Sequence, residues 1–134
     1  MVVGISRPRR PRHDLWRARE GATALEFALV APVLFTILFG VVEFSRLMWT
    51  QSALHFAVEA AARCASVTPG VCGTSAQIQT YAAAEVSALN IPASAFTPSA
   101  PACGHQVIAA FGFQFVASGL FPFTPTLTAQ ACFA

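Results

Sequence analysis

The sequence predicts an α+β chain: a long N-terminal transmembrane helix that continues beyond the membrane, a second short helix, and a small C-terminal antiparallel β-hairpin or sheet with disulfides. Three observations lead there. The sixteen residues Phe27–Val42 carry no charged side chain. All four cysteines, Cys64, Cys72, Cys103 and Cys132, lie on the C-terminal side of that run. Residues 105–133 hold two stretches in which apolar side chains recur at every second position, the period of a half-buried strand. At 134 residues, 55% hydrophobic and 10% charged, the chain has room for one small domain plus an apolar segment that such a domain cannot absorb.

The apolar run, lengthened by Ala22–Leu25 ahead of Glu26, reaches the ~20 residues that a helix needs to span a bilayer. A secretory signal peptide shares a basic start and an apolar centre, but its centre is shorter and ends in a small-x-small site. Here Glu43-Phe44-Ser45-Arg46 follows, which favours a retained anchor. Residues 1–20 hold six of the eight arginines against Asp14 and Glu20, and the positive-inside rule sets that flank in the cytoplasm. The cysteines then face an oxidising compartment, where an even number suits two disulfides. Zinc is the rival, but its sites favour Cys pairs two to four residues apart, and the nearest ligand pair is Cys103 with His105. Of the three pairings that four cysteines allow, proximity favours Cys64–Cys72 and Cys103–Cys132, each bridge adding about 2–4 kcal/mol.

Catalysis finds little to work with. There is no lysine, Asp14 is the sole aspartate, and beyond residue 50 the charged side chains are Glu59, Arg63 and Glu85. His55 and His105 complete no recognised acid–base or metal constellation, so no enzyme activity, metal or cofactor is expected. The leader arginines Arg7, Arg9, Arg10 and Arg12 could meet anionic lipid or nucleic acid. Topology signalling accounts for them more simply, and no nucleic-acid partner is expected.

The elements follow in order. Pro32 lacks an N–H and should kink the helix near its start. Glu26 within a spanning helix costs about 2.5–3.5 kcal/mol at the centre and less near an end, so it reads either as an interfacial acid or as a functional one. Past the anchor, Leu47, Leu54, Val58, Ala61 and Ala65 form one stripe, which can pack on this chain's own domain or on another subunit, and Glu59 with Arg63 has i,i+4 spacing. The helix should stop at Thr68-Pro69-Gly70. From Ala22 to Val67 that is roughly 70 Å at ~1.5 Å per residue. A second helix opens at Thr74 with a Thr-x-x-Gln capping box to Gln77, turns Ile78, Tyr81, Ala82 and Leu89 inward, and ends at Asn90 and Pro92. Residues 91–102 form a loop. Val107, Ala109, Phe111, Phe113 and Phe115, then Leu127, Ala129, Ala131 and Phe133, alternate as two strands. The chain divides into a basic leader (1–21), a transmembrane helix (22–46), its extension (47–68) and a small α+β region (69–134).

One motif carries function. Arg19-Glu20-Gly21-Ala22-Thr23-Ala24-Leu25-Glu26-Phe27 places a basic leader, a glycine, four small or apolar residues, a glutamate and an aromatic directly ahead of the apolar run. This resembles a type IV prepilin processing site. The longer stretch over residues 19–66, including Pro32, Gly40, Glu43, Arg46 and Ala60-Ala61-Ala62-Arg63, closely resembles the TadE-like family of pseudopilins, whereas residues 67–134 resemble it only loosely. The resemblance implies cleavage by prepilin peptidase between Gly21 and Ala22, with Glu26 kept in the membrane for charge pairing between subunits. Phe27 stands where the major pilins carry tyrosine, which implies a minor pseudopilin of a bacterial tight-adherence (Flp, type IVc) pilus acting in pilus assembly, adhesion and biofilm formation. Implied partners are other pilins and pseudopilins, the inner-membrane assembly platform and membrane lipid. The implied place is the inner membrane, N-terminus cytoplasmic and C-terminus periplasmic, with extraction into a pilus. The alternative is an uncleaved single-pass anchor carrying a periplasmic binding or scaffold domain.

Overall fold

The computed structural model describes residues 13–134 apart from 117, 120 and 121, with side chains from Gly21 onward. The leader arginines Arg7, Arg9, Arg10 and Arg12 lie outside the described residues. Two compact units are present, one up to Gly40 and one from Val41 to Ala134.

Helix α1, His13–Val67, contributes to both units. In the first it runs through Pro32, beyond which the Thr36 hydroxyl donates to the Pro32 carbonyl at 2.8 Å. Leu25, Phe27, Leu29, Val33, Phe35 and Ile37 are all exposed there. A helix apolar on every side, its side chains unburied among the described residues, is suited to lipid. Among the described residues, Gly21–Val67 marks the helix long and apolar enough to cross a membrane.

In the second unit α1 carries the core. Leu54, Val58, Ala61 and Ala65 of the expected stripe are buried, joined by Ala57 and Ala62, while Leu47 packs at the edge. The stripe therefore packs on the chain's own domain. The expected ion pair between Glu59 and Arg63 is not formed; both side chains are exposed, where such pairs contribute little. α1 ends at Val67 as Thr68 turns back, its N–H and hydroxyl both donating to the Cys64 carbonyl at 2.9 and 3.0 Å. Pro69 follows and cannot continue the helix. Gly73 then passes so close to the Pro69 carbonyl that a Cβ would collide with it.

Helix α2, Ser75–Glu85, starts in the expected way: the Thr74 hydroxyl accepts from the Gln77 N–H, and the Gln77 side chain accepts from the Thr74 N–H. Ile78 and Ala82 are buried, while Tyr81 and Leu89 pack at the margin. The helix ends earlier than expected. A 3-10 turn, Ser87–Leu89, carries the chain on to Asn90, whose left-handed φ of 52° is tolerated by asparagine.

The sheet has three antiparallel strands in the order β1 (Phe96–Ser99), β2 (His105–Gly112) and β3 (Thr126–Phe133). β1 falls in the segment expected to be a loop. It is short and contains Pro98, as edge strands often do. Register places Phe96 beside Ala109 and Ala109 beside Ala129, one inward row across all three strands. Phe96, Val107, Ala109, Leu127 and Ala129 close the core against Leu54, Val58 and Ala61. β2 stops at Gly112 rather than reaching Phe115, and the Phe113 N–H crosses to the Pro125 carbonyl at 2.9 Å. Cys64 bonds to Cys72 behind the end of α1, and Cys103 to Cys132 across the mouth of the hairpin.

Candidate functional site

Gly21, Ala22, Glu26 and Phe27 all lie on α1 and are exposed. A Cβ built at Gly21 meets nothing within 4 Å. Nothing in the described fold therefore requires glycine there, although glycine inside a helix costs about 0.5–1 kcal/mol relative to alanine. Ala22 and Glu26 are four residues apart and so share one helix face.

A separate polar cluster lies at the beginning of the second unit. Glu43 is 5% exposed, and the partners of its carboxylate include a side chain and a backbone N–H. Oε2 takes a 2.7 Å ion pair from Arg46 one turn on, and Oε1 accepts the backbone N–H of Val116 at 2.8 Å. The Arg46 guanidinium lies 5.5 Å from the centre of the Phe113 ring. Phe113 meets Phe115 edge-on, and Phe115 meets Phe123 likewise, both at 5.2 Å between ring centres. Glu43 and Arg46 thus clamp the β2–β3 connection to α1.

Further along α1, side chains tie the helix to β3. The Gln51 amide donates to the Thr128 carbonyl at 2.9 Å, and the Ser66 hydroxyl to the Phe133 carbonyl at 3.4 Å. Because a carbonyl only accepts, the Gln51 nitrogen must face Thr128, and the same nitrogen then donates to His55 Nε2 at 3.0 Å. His55 thus sits in a structural network on α1, and His105 opens β2. Gln79 of α2 donates to the Phe96 carbonyl at 2.9 Å. None of these ties was expected from sequence, since a glutamine or serine aimed at a distant carbonyl leaves no spacing signal.

A groove of about 600 Å³ beside the Cys64–Cys72 bridge is lined by Phe56, Glu59, Arg63, Val67, Tyr81 and Phe133, among others. The hydrogen bond from Tyr81 to Glu85, with the carboxylate's charge and slight burial, holds the phenol above its ordinary 10.0. Among the described residues, no three of His, Cys, Asp and Glu come together as metal ligands.

Residues 21–63 match the family model described as TadE-like protein. The resemblance drawn from Gly21, Glu26, Gly40, Glu43 and Arg46 is borne out over that span. This family suggests involvement in Tad/Flp pilus assembly, with pilins as partners in general. No curated protein and no solved structure matches the chain. The TadE-like span ends one residue before Cys64, so α2, the sheet and both disulfides lie beyond it. It takes in the helical half of the Glu43 clamp and leaves out the Phe113–Val116 half.

Proposed function

We propose that this chain is a minor pseudopilin of a tight-adherence pilus, anchored in the inner membrane by residues 22–46 and cut by prepilin peptidase between Gly21 and Ala22. The observation that carries the reading is the placement of Gly21, Glu26 and Phe27 directly ahead of the uncharged run, inside the TadE-like span. Residues 1–21 are the cytoplasmic leader, 47–68 the periplasmic extension of the helix, and 69–134 the periplasmic α+β head. Cleavage removes the arginine leader and leaves a cationic α-amino group on Ala22. A neighbouring subunit's Glu26 neutralises it in low dielectric, where a lone charge of either sign is costly. The order of events follows, since cleavage creates the charge that assembly pairs. The role is assembly and adhesion rather than catalysis, in keeping with the sparse charged inventory beyond residue 50.

Gly21 supports the cleavage step in a second way. The bond to Ala22 lies within α1, and a protease needs an opened chain, so a glycine with no packing role of its own weakens the helix where it must open. The alternative, an uncleaved anchor bearing a periplasmic scaffold domain, draws on the same helix, which runs without a break across residues 21 and 22. Intact mass and N-terminal sequencing of protein from host cells with and without prepilin peptidase separate the two. The expected result is a chain starting at Ala22 only where the peptidase is present. A Met1 start in both strains would sink the pseudopilin reading.

A further inference from the structure

Within the second unit, the core takes up one side of α1 through Leu54, Val58 and Ala61 and leaves the opposite side open. There Ser45, Trp49, Ser52, Phe56, Glu59 and Arg63 follow one another at spacings of three and four, which sets them in a single stripe, and all six are exposed. Trp49 is 71% exposed and Phe56 58%. Two hollows of about 600 and 650 Å³ meet at Phe56 along this stripe, one on the side of Glu59 and Arg63 and one reaching back to Ser45. The Ser45 hydroxyl is already spent on the Val41 carbonyl of its own helix. Large side chains thus alternate with small ones, and the stripe ends in two opposite charges, neither of them in an ion pair among the described residues.

Such a face fits a copy of itself in one register. Parallel helices without a stagger set Trp49 on Trp49, Phe56 on Phe56 and each charge on its own kind, which is costly. A stagger of four residues, about 6 Å at ~1.5 Å per residue, changes each of these contacts. Trp49 then lies level with Ala53 of the second copy, Phe56 with its Ala60, and Ser45 and Ser52 with its Trp49 and Phe56. Glu59 lies level with its Arg63. Large meets small throughout, as close packing requires, and the ion pair absent within one chain forms between two. A stagger of three would turn Glu59 onto the buried Ala62, and a stagger of seven would set Trp49 on Phe56. An antiparallel pairing that joins Glu59 to Arg63 centres on residue 61 and carries Trp49 past the end of the partner helix at Val67.

We propose that the exposed stripe of α1 over residues 45–63 docks a second copy of this chain, parallel and staggered by four residues, with Glu59 of one copy on Arg63 of the next. A second copy is the occupant because the register that pairs the two charges is the one that seats both aromatic rings on small residues. The pairing rests on the assembly reading for its purpose and on the helix face for its geometry. The charges set register more than strength, since an exposed ion pair contributes little by itself. The interface is heterologous: one copy keeps an unused Glu59 and the other an unused Arg63, so a third copy can add at either end.

The test uses the full chain in host-cell membranes, with Phe56 replaced by the photo-crosslinking aromatic benzoylphenylalanine and two copies distinguished by epitope tags. The expected result is a crosslink between the two tagged copies. Its yield falls about fivefold for Glu59→Arg and for Arg63→Glu, each expressed alone, because each sets like charges across the stagger. Co-expression of the two variants, one tag on each, restores the crosslink, since the acid kept by one meets the base kept by the other. Two misfolded variants could not rescue each other in this way. Unchanged yields in the single variants, or no recovery in the mixture, overturn the staggered pairing. Crosslinks from position 56 to another protein but never to a second copy overturn it as well. The start of the chain, read from the same cells, keeps the two readings apart. Loss of the crosslink pattern in chains that begin at Ala22 removes the pairing and leaves the pseudopilin reading. The full charge pattern in chains that begin at Met1 upholds the pairing and removes that reading.

Discussion

The carboxylate of Glu43 performs two tasks that separate substitutions can divide. One oxygen neutralises Arg46, and the other accepts a backbone N–H from a residue 73 positions later. Glu43→Ala removes both and leaves the Val116 N–H without its acceptor, at a cost of about 1–3 kcal/mol. Glu43→Gln keeps a carbonyl oxygen for Val116 and loses the ion pair with Arg46, whose end is half exposed, so that loss should cost about 1 kcal/mol or less. Chemical denaturation of the two variants in one detergent checks the ordering. Equal losses would mean that the hydrogen bond to Val116 contributes nothing. Half of this site was legible in advance: Glu43 and Arg46 stand out as charges just past an apolar run. Their partner did not, because a backbone amide is the same group at every residue.

At the scale of elements, legibility followed how local the determining interactions are. The start of α2 is written in Thr74 and Gln77, three residues apart, and the end of α1 in Thr68 and Pro69. Thr74→Ala should therefore cost about 1 kcal/mol, and hydrogen exchange should show that loss as weaker protection confined to the first turn of α2. Uniform loss across the domain would instead mean that the cap governs global stability. β1 was hidden because its four residues include a proline and its burial rests on one side chain, Phe96. The strand through Val107 ended early because alternation continues into Phe113 and Phe115, while the chain has already turned to meet Glu43. Periodicity reports which side chains are apolar and does not distinguish a sheet from a helix as the partner that covers them.

For the molecule as a whole, the two disulfides guard different boundaries. Cys64–Cys72 closes a short turn, while Cys103–Cys132 joins the approach to β2 with the end of β3 and spans 29 residues. On the loop-entropy account the longer loop contributes more, within about 2–4 kcal/mol for each bridge. Replacing Cys103 and Cys132 with serine should thus lower the denaturation midpoint more than the same change at Cys64 and Cys72, measured with the other bridge intact. The reverse order would point to strain relief or residual unfolded structure instead. The ties between α1 and the rest of the second unit have a mechanical meaning too. Along α1 the anchoring residues run Glu43, Gln51, Ser66, and their partners run Val116, Thr128, Phe133 in the same direction. A pull along the helix axis therefore loads these bonds side by side, in shear, instead of peeling them open one after another. Within the second unit, the sheet is therefore carried along with the helix to which it is fastened whenever a force acts on that helix.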